Sequence, residues 1–263
     1  MANIQPNTYD LEDCHLDILS LTKDTIGQEH ICCSLTDKKT DSGVRLKKEW
    51  LNARFPDGLK FLKLNERGKV FIEYLPAEKA WLPIDAPGYM AVNCLWVAGR
   101  FKGQGWGRKL LAECEKASQD LQGIVILSSN KKKPYVSDKH FLLKHGFTLS
   151  DTAPPYFELL VKKWHSSSPD PVFRPNAKKL SIPALPGIDI FYTAQCPFAV
   201  NYSRAALSDF HDSPLPVRVH QIATREEAQN HFCPVTTYSV FLNGKFITHE
   251  VATRDTLLKL MQQ

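Results

Sequence analysis

One stretch constrains this chain more than any other. An apolar run at residues 89–98, with Tyr89, Met90, Val92, Leu95, Trp96, Val97 and Ala98, passes directly into Gly99-Arg100-Phe101-Lys102-Gly103-Gln104-Gly105-Trp106-Gly107-Arg108. That loop opens into a helical pattern carrying Leu110, Leu111, Cys114 and Ala117. The length and density of the apolar run suit a strand covered on both faces. A second such run, Ile124 to Leu127 within residues 123–129, follows the helix. Strand, glycine-rich loop, helix and strand in that order require a parallel crossover, and with it a sheet flanked by helices.

Glycines at 103, 105 and 107 permit a turn whose amides converge on one concavity. At a helix N-terminus such N–H groups are unpaired and the helix dipole adds partial positive charge, so the loop attracts phosphate. Arg100, Lys102 and Arg108 are placed to add charge at its rim. A dinucleotide fingerprint wants Gly-x-Gly-x-x-Gly, whereas the spacing here is Gly-x-Gly-x-Gly, and the Gly-Lys-Ser/Thr of a P-loop is absent. A turn serving only close strand-to-helix packing is the remaining alternative.

The other elements frame this unit. Val44, Leu46, Trp50, Leu51 and Phe55 recur at mostly helical spacing, and Pro56-Asp57-Gly58 ends that helix. Strands are expected at 59–64 and 69–75, joined as an antiparallel hairpin by Asn65-Glu66-Arg67-Gly68. A short helix ends at Gly146, and residues 156–161 give one more strand. From 165 to 186 three consecutive serines and five prolines read as a linker, hence a domain boundary. Beyond it the expected order is strand (188–192), helix (197–210), strand (217–222), helix (224–230), a hairpin about Asn243-Gly244, and helix (254–261). Thr224 and Glu227 are spaced to cap the second of those helices.

Arg100-x-x-Gly103-x-Gly105, with Gly107 and an amphipathic helix after it, resembles the Arg/Gln-x-x-Gly-x-Gly/Ala pyrophosphate loop of the GNAT acetyltransferase superfamily. The element order also resembles that family's, and Lys144-x-Gly146-Phe147 is similar to the end of its Phe-Tyr-x-Lys-x-Gly-Phe segment. This resemblance spans residues 20–163. The stretches 71–76 (Phe-Ile-Glu-Tyr-Leu-Pro), 93–97 (Asn-Cys-Leu-Trp-Val) and 155–159 (Pro-Tyr-Phe-Glu-Leu) are similar to segments of the GNAT proteins that carry a YoaP-like C-terminal domain.

The resemblance implies an α/β acyl-CoA acyltransferase fold, a mixed central sheet with flanking helices, over residues 1–165. A Pro/Ser-rich linker (166–187) and a small, degenerate thioredoxin-like domain (188–263) follow. It implies transfer of acetyl from acetyl-CoA to the amine of a small acceptor, by direct attack through a tetrahedral intermediate. The pantetheine arm would lie between the central strand and its parallel neighbour. By position the cofactor contacts are Leu95, Trp96, Val97, Ala98, Arg100, Phe101, Lys102, Gly103, Gln104, Gly105, Trp106, Gly107, Arg108 and Asn130. The amide of Val97 or a neighbour would face the thioester carbonyl, where charge develops.

One departure matters. Many members place a tyrosine where this chain has Leu142, and leucine transfers no proton. Tyr135 is the substitute proton donor to the leaving thiolate, against a plain role covering the sheet edge. Glu73 is the candidate proton acceptor, against a plain exposed strand carboxylate. A noncatalytic acyl-CoA-binding protein would also account for Leu142.

Cys196 in Thr193-Ala194-Gln195-Cys196-Pro197 falls between a strand and a helix, where amides and the helix dipole favour a thiolate. This resembles the active-site corner of the thioredoxin superfamily. A dithiol motif needs Cys-x-x-Cys, however, and the fourth position is Ala199, which leaves Cys233 as the one distant partner to consider. A monothiol site is a further alternative for this region. Seven cysteines, several within apolar runs, do not read as a secreted disulfide framework, and Cys94 reads as a core thiol.

A net charge of +5, spread along the chain except at Lys131-Lys132-Lys133, suits a phosphorylated cofactor and lacks the dense stripe of a nucleic-acid binder. Residues 1–13 lack the apolar core of a signal peptide, and no apolar stretch is long enough to span a bilayer. A cytoplasmic protein is expected, without metal, and a homodimer is compatible with the sequence.

Overall fold

The computed structural model describes residues 18–31, 34–35 and 41–262. Cys14, Cys32, Cys33 and the segment 1–13 lie outside the described residues. The first half of the chain runs β1 (Ile18–Ser20), α1 (Ser42–Arg54), β2 (Lys60–Leu64), β3 (Val70–Pro76), β4 (Ile84–Asp85), β5 (Tyr89–Val97), α2 (Trp106–Ala117), β6 (Gly123–Ser129), α3 (Lys139–Lys144), β7 (Thr148–Ala153) and β8 (Phe157–Lys163). After β9 (Val172–Phe173) come β10 (Ile188–Tyr192), α4 (Pro197–Asp209), β11 (Val217–Gln221), α5 (Arg225–Gln229), β12 (Tyr238–Leu242), β13 (Lys245–Thr248) and α6 (Arg254–Leu260).

Among the described residues, the larger sheet has the order β1-β2-β3-β5-β6-β8-β7. Only β5 and β6 pair in parallel, as the crossover through α2 demands; the other neighbours are antiparallel. Alternation along the strands gives each face its own core. Ile72, Tyr74, Val92, Ile124, Ile126 and Leu160 pack beneath Leu110 and Leu111 of α2. On the opposite face Phe61, Phe71, Ala91, Val125 and Leu159 pack beneath Trp50 and Leu51 of α1.

That second core does not stop at the end of the first half. Ile190, Val200, Tyr238 and Phe241, from the four-stranded sheet β11-β10-β12-β13 and its helix α4, belong to the same contiguous cluster. α1 and α4 touch closely: the Asn201 side-chain oxygen accepts from the Gly43 N–H at 3.0 Å, and a Cβ at Gly43 would lie 2.3 Å from the Pro197 carbonyl oxygen.

Three findings differ from the sequence expectation. β1 and β7 take the two edges of the large sheet; β1, Ile18-Leu19-Ser20, is too short to show a period, and the largely polar β7 lacks the apolar alternation that marks a half-buried strand. The proline-rich stretch 166–187 carries β9, which pairs with β4, and a 3-10 turn over Pro175–Lys178, with Phe173 and Ala177 buried. Proline forbids helix and ladder donation but not packing. Finally, Glu73, weighed as an exposed strand carboxylate, is buried.

Candidate active site

The site begins with a bulge. Glu73 of β3 lies opposite Cys94 of β5, and Tyr74 opposite Val92, so Asn93 is the extra residue on the central strand. Pairing of β5 with β6 ends at the same place: the register runs from Tyr89 and Gly123 to Val92 and Ile126 and no further. Beyond the bulge the two parallel strands diverge, and β5 keeps only its β3 neighbour.

The divergence leaves backbone groups facing a gap. Ala98 donates its N–H to the Lys69 carbonyl at 2.9 Å. Because successive residues of an antiparallel strand face opposite neighbours, Trp96 and Cys94 also face β3, while the N–H groups of Val97 and Leu95 face the gap.

At the end of β5 the glycine loop turns into α2. Gly99, Gly103 and Gly105 have φ of 63°, 79° and 79°, and a Cβ on any of them would meet no protein atom within 4 Å. That is a left-handed turn with an open concave face, which glycine adopts without penalty. Gly105 is the N-cap of α2 and makes no side-chain capping bond, so the first-turn amides of the helix point outward without an internal partner. At Gly107 the requirement is different: a Cβ there would press on the Phe141 ring at 3.0 Å.

Gap and loop together form a cavity of about 910 Å³. One wall is Leu95, Trp96, Val97, Phe101, Lys102, Gly103, Gly105, Trp106, Gly107 and Arg108; the facing wall is the segment from Ser129 to Pro134 with Val136 to Phe141 and His145. Asn130 lies on that second wall, and Lys131, Lys132 and Lys133 add positive charge. Of the remaining predicted cofactor contacts, Ala98, Arg100 and Gln104 do not line the cavity. Arg100 is exposed, ion-paired with Glu66 and stacked over Phe101. Gln104 braces the loop, donating to the Arg100 carbonyl at 2.8 Å and accepting from the Trp106 indole at 3.2 Å.

The residues considered for proton transfer do not line the cavity. Glu73 accepts from the Lys47 ammonium at 2.5 Å and from the Asn93 side-chain amide at 2.9 Å, with both charged side chains almost wholly buried. Its two oxygens are thus occupied, one by an ion pair and one at the bulge. Tyr135 sits on the second wall segment with φ of 64°, 44% exposed as a residue and outside the cavity lining. Leu142 is buried in the α2-side core, whereas its neighbours Phe141 and His145 reach the cavity.

Cys196 approaches from the other half of the chain. Its thiol accepts from the N–H groups of Ala199 and Phe198 and lies near enough to Lys47 and Glu73 to feel both charges. Burial nevertheless pushes it above the ordinary thiol range, so the helix amides do not produce the thiolate expected from sequence. Cys233 is fully buried, which likewise pushes its thiol up, and it is not bonded to Cys196. Of the facing wall, the sequence singled out Asn130 as a cofactor contact and the Lys131-Lys132-Lys133 charge excess, while His140 and His145, which also line it, read as surface residues.

A family profile for GNAT acetyltransferases matches residues 27–147, and a YoaP-like profile matches residues 216–259. The chain is 44% identical over 250 residues to the uncharacterized N-acetyltransferase YoaP of Bacillus subtilis (strain 168), across 94% of this chain and 98% of that protein. Two solved structures are more distant. The PaiA N-acetyltransferase of Thermoplasma acidophilum in complex with coenzyme A shares 18% identity over 56% of this chain and 99% of its own, at a TM-score of 0.38. A GNAT family acetyltransferase of Brucella melitensis in complex with acetyl-CoA shares 17% over 61% and 98%, at 0.34. Those two likenesses are too weak to bear on the assignment, which rests on the near full-length identity to the Bacillus protein. Membership implies acetyltransferase activity and use of acetyl-CoA. This chain belongs to the GNAT N-acetyltransferase family, in the group with a YoaP-like C-terminal region.

Proposed function

We propose that the protein transfers the acetyl group of acetyl-CoA to the amine of a small acceptor within the cleft between β5 and β6. The observation that carries this reading is the conjunction of an open glycine turn, uncapped first-turn amides and a diverged strand pair on one cavity. Amides of the 103–108 turn would hold the diphosphate, with Lys102 and Arg108 beside them. The thioester carrier supplies the activated acetyl group. The Val97 N–H, aimed into the gap, stabilises negative charge on the carbonyl oxygen as the amine attacks. As the C–S bond breaks, the attacking nitrogen gives up its proton to water in the open cleft and the departing thiolate takes one up. Tyr135, on the segment that flanks the cavity, is the proposed donor in the absence of a hydroxyl at Leu142. Glu73, held by Lys47, acts through Asn93 on the shape of β5 rather than on the substrate.

The division into 1–165, 166–187 and 188–263 is part of the proposal. The strand order β11-β10-β12-β13, with β10 and β11 parallel, supports a degenerate thioredoxin-like region there. The test is CoA release on a panel of small amines with acetyl-CoA. Turnover on at least one amine, abolished by omitting it, is the expected result. Tight acetyl-CoA binding with no turnover on any amine would instead favour a noncatalytic acyl-CoA-binding protein.

A further inference from the structure

The cavity wall that faces the glycine turn is the connection from β6 to α3, and it has little regular structure to hold it. Its ends are anchored locally. The Asn130 N–H donates to the Tyr156 carbonyl at 2.9 Å, and the Ser128 hydroxyl donates to the Ser137 carbonyl at 2.8 Å. Its middle is anchored from the far half of the chain. His249, between β13 and α6 and fully buried, places Nε2 2.9 Å from the Pro134 carbonyl oxygen, and Glu250 beside it pairs with Lys133 at 2.9 Å.

We propose that His249 is a positioning residue for the cofactor cleft, holding the wall segment 130–136 in its lining conformation through the Pro134 carbonyl. The proposal rests on the reading of that cleft as the acetyl-CoA site.

The chemistry of the bond fixes the tautomer. A carbonyl oxygen only accepts, so Nε2 carries the hydrogen and Nδ1 is left as an acceptor. Nδ1 meets the Tyr156 hydroxyl at 2.8 Å, which therefore donates to it. Tyr156 thus grips the wall twice: through its own carbonyl at Asn130, and through His249 at Pro134. The Phe157 ring stands edge-on to the imidazole at 5.3 Å and closes the site against water. Burial lowers the His249 pKa and outweighs the Pro134 hydrogen bond, which raises it, so the neutral ring that these two hydrogen bonds require is favoured; the nearby Glu250 and Lys133 charges act in opposite directions. A YoaP-like region joined to an acetyltransferase sheet would in this way shape the pocket of its neighbour without contributing a side chain to it.

The experiment compares the full-length protein with H249L and H249Q. Glutamine keeps an N–H donor near the Nε2 position, whereas leucine keeps bulk alone. In hydrogen exchange read by mass spectrometry, amides of residues 131–137 should exchange at least tenfold faster in H249L, with α2 unchanged. Acetyl-CoA affinity by calorimetry should fall at least fivefold, and H249Q should stay within twofold of wild type in both. Should H249L fail to fold, Y156F carries the same test, because losing the hydroxyl frees Nδ1 and with it the tautomer that aims Nε2–H at Pro134. Unchanged exchange in 131–137, an H249Q that behaves like H249L, or faster exchange with unchanged affinity would each overturn the proposal. If wild type itself bound no acetyl-CoA while the exchange difference appeared, the cofactor reading of the cleft would fall and the positioning of the wall would stand.

Discussion

Among the described residues, Glu73 and Lys47 form the ion pair with both side chains out of water. Two buried charges attract strongly, but each has lost its hydration, so removing one leaves the other uncompensated. Glu73→Gln is expected to destabilise the protein by about 3–5 kcal/mol, and K47M/E73L to recover most of that loss. Urea unfolding measures both; a loss under about 1 kcal/mol for E73Q would mean the pair is solvated. His231 is a second buried group, bonded to the Ser239 hydroxyl at 3.0 Å among the rings of Phe191, Phe232 and Phe241, and burial pulls its pKa down to about 4. The unfolded chain then binds more protons than the folded one between about pH 6.5 and 4, so stability falls as pH drops through that window, by roughly 3 kcal/mol in all. H231Q should flatten the slope, and an unchanged pH dependence in that variant would exclude His231 as its source. Neither residue's environment was legible in sequence: a glutamate on a strand and a histidine before a Phe-Cys-Pro turn declare no burial until distant elements close over them.

At the scale of elements, legibility followed periodicity and punctuation. α1, β2, β3, β5, β6 and the capping box of α5 appear close to where apolar spacing, glycine and threonine put them. β1 and β7 were not legible, since a three-residue strand is too short to show a period and a polar edge strand buries too little to show one, and the bulge at Asn93 depends on cross-strand register that one strand does not encode. The glycine turn was legible because its physical demand, φ above zero with no room taken by a side chain, is met by glycine alone. Gly105→Trp tests that demand. A Cβ there touches nothing in the protein, so the cost to folding is mainly backbone strain of about 1 kcal/mol, while the indole would project into the space the diphosphate needs. Acetyl-CoA affinity should drop at least tenfold, about 1.4 kcal/mol. Equal affinity in calorimetry would remove the turn from the binding site.

At the scale of the whole molecule, the two halves share one apolar core and meet at several places, two of which bear on the site. α4 packs on α1 beside the Lys47–Glu73 pair, with Gly43 permitting the approach, and the β13–α6 connection ties down the far wall of the cleft. Among the described residues no helix is long and apolar enough to cross a membrane. The site therefore depends on chain segments more than a hundred residues apart, such as His249 and Pro134. This explains why the sequence revealed the glycine wall and not its partner. The account stands on the cleft between β5 and β6 being the seat of the thioester carrier. A crystal structure with CoA bound tests it most directly. Diphosphate oxygens within hydrogen-bonding distance of the amides of residues 103–108, with the pantetheine arm beside Leu95 and Val97, are the predicted result; a diphosphate seated anywhere else would contradict it.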